Sequence, residues 1–231
     1  FLMKRMGMDF VDAVKHVAQR TGVDIHEVKN DHKEEDPFRH LYDATAFARM
    51  FFKDSLWDQS LGNEARSYLE QRGIDREIAE RFSLGFAPDE WRGLRDAASH
   101  HGIEDDTLLE VGLLIQSDKA QEPYDRFRGR ITFSIENLGG KVLGFGGRVL
   151  NSGKEGVPKY LNSPESPIYH KGEILYGLSW AKNAIRRKDT ALVVEGYMDT
   201  VSLAAAGFDN TVAPLGTSLT NEQALLLGRY T

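Results

Sequence analysis

The sequence predicts a chain of mixed α+β and α/β class, in which a helical and β-hairpin segment runs into the beginning of an α/β layer. Three observations carry that expectation. Apolar residues recur at helical spacing over 38–111, the period drops to two at Arg130, and from Leu178 onward helix and strand patterns alternate. At the start, Asp9 can cap a helix over 9–21, with Phe10, Val11, Val14, Val17 and Ala18 on one face and Gly22 to stop it. Residues 27–37 are charged and nearly without apolar side chains, which predicts a solvated linker and a domain boundary. Over 38–111 the helical period shows in Leu41, Ala44, Phe47, Ala48 and Phe51, and again at Tyr68 and Leu69 before Gly73.

Ile131, Phe133 and Ile135 then alternate with Thr132, Ser134 and Glu136, and Asn137-Leu138-Gly139-Gly140 turns the chain into a second strand over 141–150. A hairpin follows. Glycines at 144, 146 and 147 point to bulging, or to another backbone coming close. After a loop at 160–164 comes a helix over 178–187, then the apolar run 191–194, typical of a strand buried on both faces of a parallel sheet. Helical spacing over 198–206 ends at Gly207, residues 210–213 can form a further strand, and Thr220 with Gln223 is a capping-box signature for a last helix.

Composition removes several functional classes. The 231 residues, 41% hydrophobic and 28% charged, include no cysteine. A disulfide-stapled secreted module, a Cys-ligated zinc site and a thiol nucleophile are therefore excluded within this chain. Chemistry must rest on oxygen, on nitrogen or on a bound hard metal. No apolar run approaches the roughly 20 residues that span a bilayer, and no secretory signal opens the chain, so a cytoplasmic location is expected. The first residue is Phe1 and the last follow directly on a helical pattern, which suggests a piece of something longer. The net charge of −6 hides a change of sign. Residues 1–122 hold 16 basic and 25 acidic side chains, residues 123–188 hold 12 and 5, and residues 189–231 hold 1 and 5. A basic middle third is the footprint that matters for phosphate binding, although a solvated surface would read the same way.

Three groups of residues can carry chemistry. Glu195 follows the 191–194 strand, and Asp199 lies one helical turn on; two carboxylates at a strand's carboxyl end suit a hard cation such as Mg²⁺. Carboxylates serving a helix N-terminus are the alternative. Gly216-Thr217-Ser218 precedes the last helix, where backbone amides can hold a phosphate or simply turn the chain. Arg126, Arg128 and Arg130, extended as a strand, would share a face, and Arg148, Lys159 and Lys171 add further cations. A charged edge strand would also fit. The seven histidines form no metal-ligand pattern, and Tyr68, Trp91 and the Phe residues of the helical segment read as core.

Tyr-Asp-Arg-Phe-Arg-Gly-Arg-Ile (124–131), Gly-Phe-Gly-Gly-Arg (144–148), Lys-Tyr-Leu-Asn-Ser-Pro-Glu (159–165), His-Lys-Gly (170–172), Leu-Tyr-Gly-Leu (175–178), Val-Val-Glu-Gly-Tyr-Met-Asp (193–199) and Leu-Gly-Thr-Ser-Leu-Thr (215–220) together closely resemble bacterial DnaG-type DNA primase. Seven motifs in one order over about 100 residues are specific, whereas Glu-Gly-Tyr-Met-Asp alone would indicate only the wider Toprim group. The resemblance implies a catalytic core making short RNA primers on single-stranded DNA. It implies the tail of a zinc-binding domain over 1–28, a linker over 29–36, a basic N-terminal subdomain over 37–186 and a truncated Toprim subdomain over 187–231.

Carried over position by position, Glu195 and Asp199 resemble the first acidic motif of a Mg²⁺ or Mn²⁺ site. Arg126, Arg128, Arg148, Lys159 and Lys171 resemble the groups that hold template and nucleotide phosphates, with Asn162 and Tyr197 beside them. The implied reaction is phosphoryl transfer, in which a primer 3′ hydroxyl attacks an α-phosphate of a ribonucleoside triphosphate and pyrophosphate leaves. Zn²⁺ would belong only to the N-terminal domain whose ligands this sequence lacks. The family also implies a replicative helicase as partner of the full-length protein, and no membrane. A second acidic motif, Asp-Gly-Asp, is expected on the following strand and is absent here, so the fragment alone is expected to be inactive. Two other readings stay open: a Toprim nuclease or topoisomerase would share Glu195 and Asp199, and a non-catalytic single-strand-binding module would need the basic residues alone.

Overall fold

The computed structural model describes Ala18 and residues 36–150, 156–216 and 218–231. The chain divides into two units, Phe1–Asp36 and Pro37–Thr231. The helix expected over 9–21 and the linker over 27–37 fall almost wholly outside the described residues.

Helix α1 (Arg39–Trp57) forms on the stripe Leu41, Ala44, Thr45, Ala48, Phe52, Ser55 and Leu56, all buried and at helical spacing. Two shorter helices follow, α2 (Asn63–Glu70) and α3 (Arg76–Arg81), the second capped by the Asp75 carboxylate accepting from the Ile78 amide at 2.9 Å. The next element corrects the expectation of continuous helix. Leu84–Ala87 is a strand, β1, buried at all four residues. A strand covered on both faces shows no alternation, which is why the period missed it.

Helices α4 (Gly93–His100) and α5 (Asp105–Glu110) and the short pair β2 (Leu114–Ile115) and β3 (Tyr124–Asp125) lead to the hairpin β4 (Arg130–Glu136) and β5 (Val142–Val149). Strand β6 (Tyr160–Asn162) completes an antiparallel sheet in the order β1-β4-β5-β6. The hairpin register runs from Arg130 opposite Val149 to Glu136 opposite Val142, with an irregularity between Ile135 and Glu136.

The sheet's two faces enter different cores. Ile131, Phe133 and Ile135 of β4 join one with Tyr176, Tyr197 and Met198. Phe145 of β5 joins the other with α1, where Phe52, Phe127 and Phe145 meet edge to face at centroid distances of 5.3 to 6.3 Å. Each such pair adds about 0.5–1.5 kcal/mol beyond area burial. Two neighbouring glycines of β5 make both approaches possible. A Cβ on Gly146 would lie 2.6 Å from Tyr197 Cε2 on one face, and a Cβ on Gly147 would lie 2.7 Å from Phe127 Cδ1 on the other.

A single 3₁₀ turn (Lys171–Glu173), strand β7 (Leu175–Tyr176) and helix α6 (Leu178–Lys188) precede β8 (Leu192–Val193), α7 (Tyr197–Ala205), β9 (Thr211–Pro214) and α8 (Asn221–Leu227). The second sheet has the order β7-β9-β8, with β8 parallel and β7 antiparallel to β9. β7 was not expected. The 191–194 run also differs from its reading: Val193 is 45% exposed, and among the described residues β8 pairs with β9 alone. Its apolar composition announces a strand, but burial on both faces needs neighbours that the sequence pattern cannot supply. The expected capping box is present, with Thr220 Oγ1 accepting from the Gln223 amide at 3.1 Å and Gln223 Oε1 accepting from the Thr220 amide at 3.0 Å. Gln223 Nε2 then donates to the carbonyls of Lys171 and Ile174, at 2.9 and 2.8 Å, and docks α8 on the 3₁₀ turn.

Candidate active site and nucleic-acid interface

Glu195 lies just beyond the carboxyl end of β8, and Gly196, extended at the N-terminus of α7, places Asp199 in that helix's first turn. Both carboxylates are exposed and line a cleft of about 840 Å³. The same cleft is lined by cations: Arg148 from β5, Lys159 from the residue before β6, and Arg72 from just past the end of α2. Arg72 was not singled out in the sequence, because it lies within a segment of net negative charge. Its guanidinium lies 4.9 Å from the centre of the Tyr68 ring, and that of Arg148 lies 4.4 Å from the same ring. Tyr68 is half-buried and packs against the core as expected, while its ring also carries both guanidinium groups.

Asn162 and Tyr197 stand at the back of this cleft. Tyr197, 6% exposed, stacks on Phe133 at 5.0 Å and donates its hydroxyl to Asn162 Oδ1 at 2.8 Å. Asn162 Nδ2 donates in turn to the Leu215 carbonyl at 3.0 Å. Burial pushes the Tyr197 hydroxyl well above the ordinary tyrosine range, so it stays a proton donor. Gly216 and Ser218 line the same cleft, while Thr217 lies outside the described residues.

The remaining candidates lie elsewhere. Arg126, Arg128 and Arg130 do not form a stripe on one strand: β3 ends at Asp125, β4 begins at Arg130, and Gly129 between them has φ +58°. The left-handed glycine breaks the extended run. Arg130 is buried and donates to the Pro158 carbonyl at 3.0 Å, a structural role. Arg126 is half-buried, its buried Nε makes no hydrogen bond among the described residues, and burial lowers its affinity for a proton. Arg128 donates to the Asp125 carbonyl and lies over the Trp91 ring at 4.1 Å. All three line a second cleft of about 670 Å³, together with Trp91. Trp91 is 62% exposed, contrary to its reading as core: its ring covers the Arg128 guanidinium and the edge of Tyr124 instead of filling an interior space.

Lys171 joins neither cleft. Its backbone is held by Glu165 Oε1 and Gln223 Nε2, and its side chain is half-buried.

Below Arg128, Asp125 is buried and accepts from the amides of Leu94 and Arg95, at 2.8 and 3.1 Å. It therefore caps α4 from 31 residues away, a partner no local pattern could reveal. Burial pushes its carboxyl up to about 6 against the pull of those amides. Arg95 is locked beside it by both oxygens of Asp105, at 2.7 to 3.0 Å.

Among the described residues no three His, Cys, Asp or Glu side chains gather into a metal cluster. The acidic wall supplies two carboxylates. Exposed oxygen donors fit part of the shell of a hard divalent cation, which commonly keeps several waters and takes substrate phosphates as ligands. No described helix is long and apolar enough to cross a membrane.

Residues 51–182 match the family model of the DNA primase catalytic core, N-terminal domain, and residues 189–231 match the Toprim domain. A DNA primase of Clostridium acetobutylicum is 44% identical over 233 residues, covering 100% of this chain and 37% of the relative. The RNA polymerase domain of Mycobacterium tuberculosis primase DnaG, solved in complex with a double-stranded DNA oligomer with a 6-nucleotide overhang, superposes with a TM-score of 0.77 at 34% identity, over 83% of this chain and 59% of that one. A DnaG primase catalytic domain bound to ssDNA superposes with a TM-score of 0.70 at 42% identity, over 83% of this chain and 58% of that one. The chain spans little more than a third of the length of the curated relatives it matches. With the motifs, the fold and these matches in agreement, the chain belongs to the family of the DNA primase catalytic core, N-terminal domain, and runs into a Toprim domain.

Proposed function

We propose that this chain is the part of a DNA primase that holds a single-stranded DNA template and ribonucleoside triphosphates and joins the latter into short RNA primers. The observation that carries the reading is the first cleft, which Arg72, Arg148 and Lys159 line together with Glu195 and Asp199. Cations and carboxylates left open to one cleft suit a substrate that brings both phosphate oxygens and metal. In this reading Arg148, Arg72 and Lys159 hold nucleotide and primer phosphates, and Arg126, Arg128 and Trp91 in the second cleft hold the template strand. A divalent ion such as Mg²⁺, held by Glu195 and Asp199, would supply charge stabilisation at the α-phosphate. Arg148 and Lys159 add positive charge on the leaving pyrophosphate side. The named relatives support the reading, and two of the similar structures hold DNA. A replicative helicase as partner of the full-length protein and a cytoplasmic place of action belong to the same proposal.

The test is primer formation from labelled ribonucleotides on a single-stranded template by a full-length protein carrying this chain, with DNA affinity measured in parallel. Glu195→Gln is expected to slow synthesis about 10²- to 10³-fold with DNA affinity nearly intact, because its charge acts on the transition state. Lys159→Ala is expected to raise the nucleotide KM as well as lower the rate. Full synthesis by Glu195→Gln, or loss of DNA binding in step with synthesis, overturns the assignment.

A further inference from the structure

The two family segments are joined away from the cleft by the pairing of β7 with β9 and by the Gln223 bonds to Lys171 and Ile174, and beside the cleft by a short line of side-chain bonds through Asn162. Asn162 lies in the segment 51–182, and Tyr197 and Leu215 lie in 189–231. The Asn162 side chain bonds both: Oδ1 accepts from the Tyr197 hydroxyl at 2.8 Å, and Nδ2 donates to the Leu215 carbonyl at 3.0 Å. Each end of the line sits next to a functional candidate. Tyr197 is the first residue of α7, between Glu195 and Asp199. Leu215 precedes Gly216 in the cleft wall, and Asn162 ends the strand that Lys159 precedes.

We infer that Asn162 and Tyr197 are positioning residues: their hydrogen bonds fix the acidic wall of the cleft at its working distance from the basic wall, instead of contacting the nucleotide. The inference rests on the primase reading for its consequence, though not for its geometry. Three features favour it. The Tyr197 hydroxyl is directed to Asn162 and its ring is closed in by Phe133 at 5.0 Å and Tyr176 at 4.8 Å. The Asn162 amide uses its oxygen and its nitrogen within the protein. Gly146 leaves the ring its place, since a Cβ there would meet Tyr197 Cε2 at 2.6 Å. A ring wedged against a glycine, with its hydroxyl bonded across a domain junction, sets a separation more sharply than apolar contact alone.

The test uses the full-length protein in three forms: wild type, Tyr197→Phe and Asn162→Asp. The first change deletes the hydroxyl and keeps the ring; the second keeps the acceptor for Tyr197 and deletes the donor to Leu215. Primer synthesis is measured against Mg²⁺ concentration, with single-stranded DNA affinity, nucleotide KM and amide hydrogen exchange over 196–200 and 214–216. A lost neutral hydrogen bond corresponds to a change of about five- to tenfold. Both variants are expected to show exchange faster by that factor, a maximal rate lower by a similar factor and a higher Mg²⁺ requirement, with DNA affinity and nucleotide KM within about twofold of wild type. A raised nucleotide KM with unchanged exchange makes the two residues substrate contacts and overturns the inference, as do unchanged rate and exchange in both variants. If the wild type makes no primers, the primase reading fails and exchange alone decides the positioning role.

Discussion

On one face of the four-stranded sheet Arg148 and Lys159 look across a cleft at Glu195 and Asp199, while on the other Arg126, Arg128 and Arg130 surround a cleft beside an exposed indole. Successive residues of β5 and β6 alternate between the two, with Arg148 and Tyr160 on the acidic side and Val149 and Leu161 on the other. The same residue type serves different ends. Arg148 lies over rings at the mouth of a polar cleft, whereas Arg130 is buried and bonded to main-chain carbonyls. A count of basic residues treats these as equal, yet only cations that keep donors directed to solvent can meet a phosphate.

The sharpest way to break the comparison is at the paired glycines. Gly146→Ala would press on Tyr197 and so on the acidic cleft, and Gly147→Ala would press on Phe127 beneath the arginine-rich one. Overpacking of this kind costs about 1–3 kcal/mol of stability, and both variants are expected to lose that much in denaturant unfolding. Function should separate them. In the full-length protein Gly146→Ala is expected to cut primer synthesis at least about tenfold with template affinity held, and Gly147→Ala to weaken template affinity first. Equal effects on both assays would mean that the two faces do not work independently.

Asp125 sharpens the contrast further, because it underlies only the second cleft. Its carboxyl is pushed up to about 6 by burial, so the folded chain binds the proton more tightly than the unfolded chain does. Stability should therefore be highest below the ordinary aspartate range and fall as pH rises from about 4 to about 6, by an amount on the order of 1–3 kcal/mol, then level off. Urea unfolding across that window checks it. The difference in stability between wild type and Asp125→Asn isolates this contribution, and a difference that grows with pH would show that the amides of Leu94 and Arg95 outweigh burial.

What the sequence disclosed and what it hid follow from the range of the interactions. The hairpin and the Thr220–Gln223 capping box are set by residues within a few positions of one another, and both stand where expected. The glycines of β5 also announced close approach, without saying that Tyr197 and Phe127 would be what approached. Glu195 and Asp199 were legible because a strand end and the next helical turn bring them together locally. Arg72 was not, since its place beside Arg148 depends on a helix end meeting a sheet strand 76 residues later. The arginines at 126–130 misled for a local reason, the left-handed turn at Gly129, and Trp91 misled because a large ring was taken to need an interior.

The smallest expected effect concerns salt. If the second cleft holds the template, Arg126 and Arg128 meet phosphates in the ground state, and each contact steepens the fall of log K with log salt by about 0.7 for a single strand. Arg126→Ala with Arg128→Ala should then flatten the slope by about 1.4, while Arg148→Ala should leave template binding and its slope nearly unchanged and raise the nucleotide KM instead. Arg128 needs a control, because it also covers Trp91 at 4.1 Å and its loss could weaken binding through the indole. Arg128→Lys separates the two contributions: it keeps the charge and hence the slope, but loses the planar guanidinium that lies on the ring. Fluorescence-detected binding of a single-stranded oligonucleotide between 50 and 200 mM salt reads all three variants, at the ionic strengths over which phosphate contacts dominate affinity. A slope that flattens equally for Arg148→Ala and for the Arg126 and Arg128 pair would place one continuous phosphate track over both faces and remove the division between template and nucleotide sides.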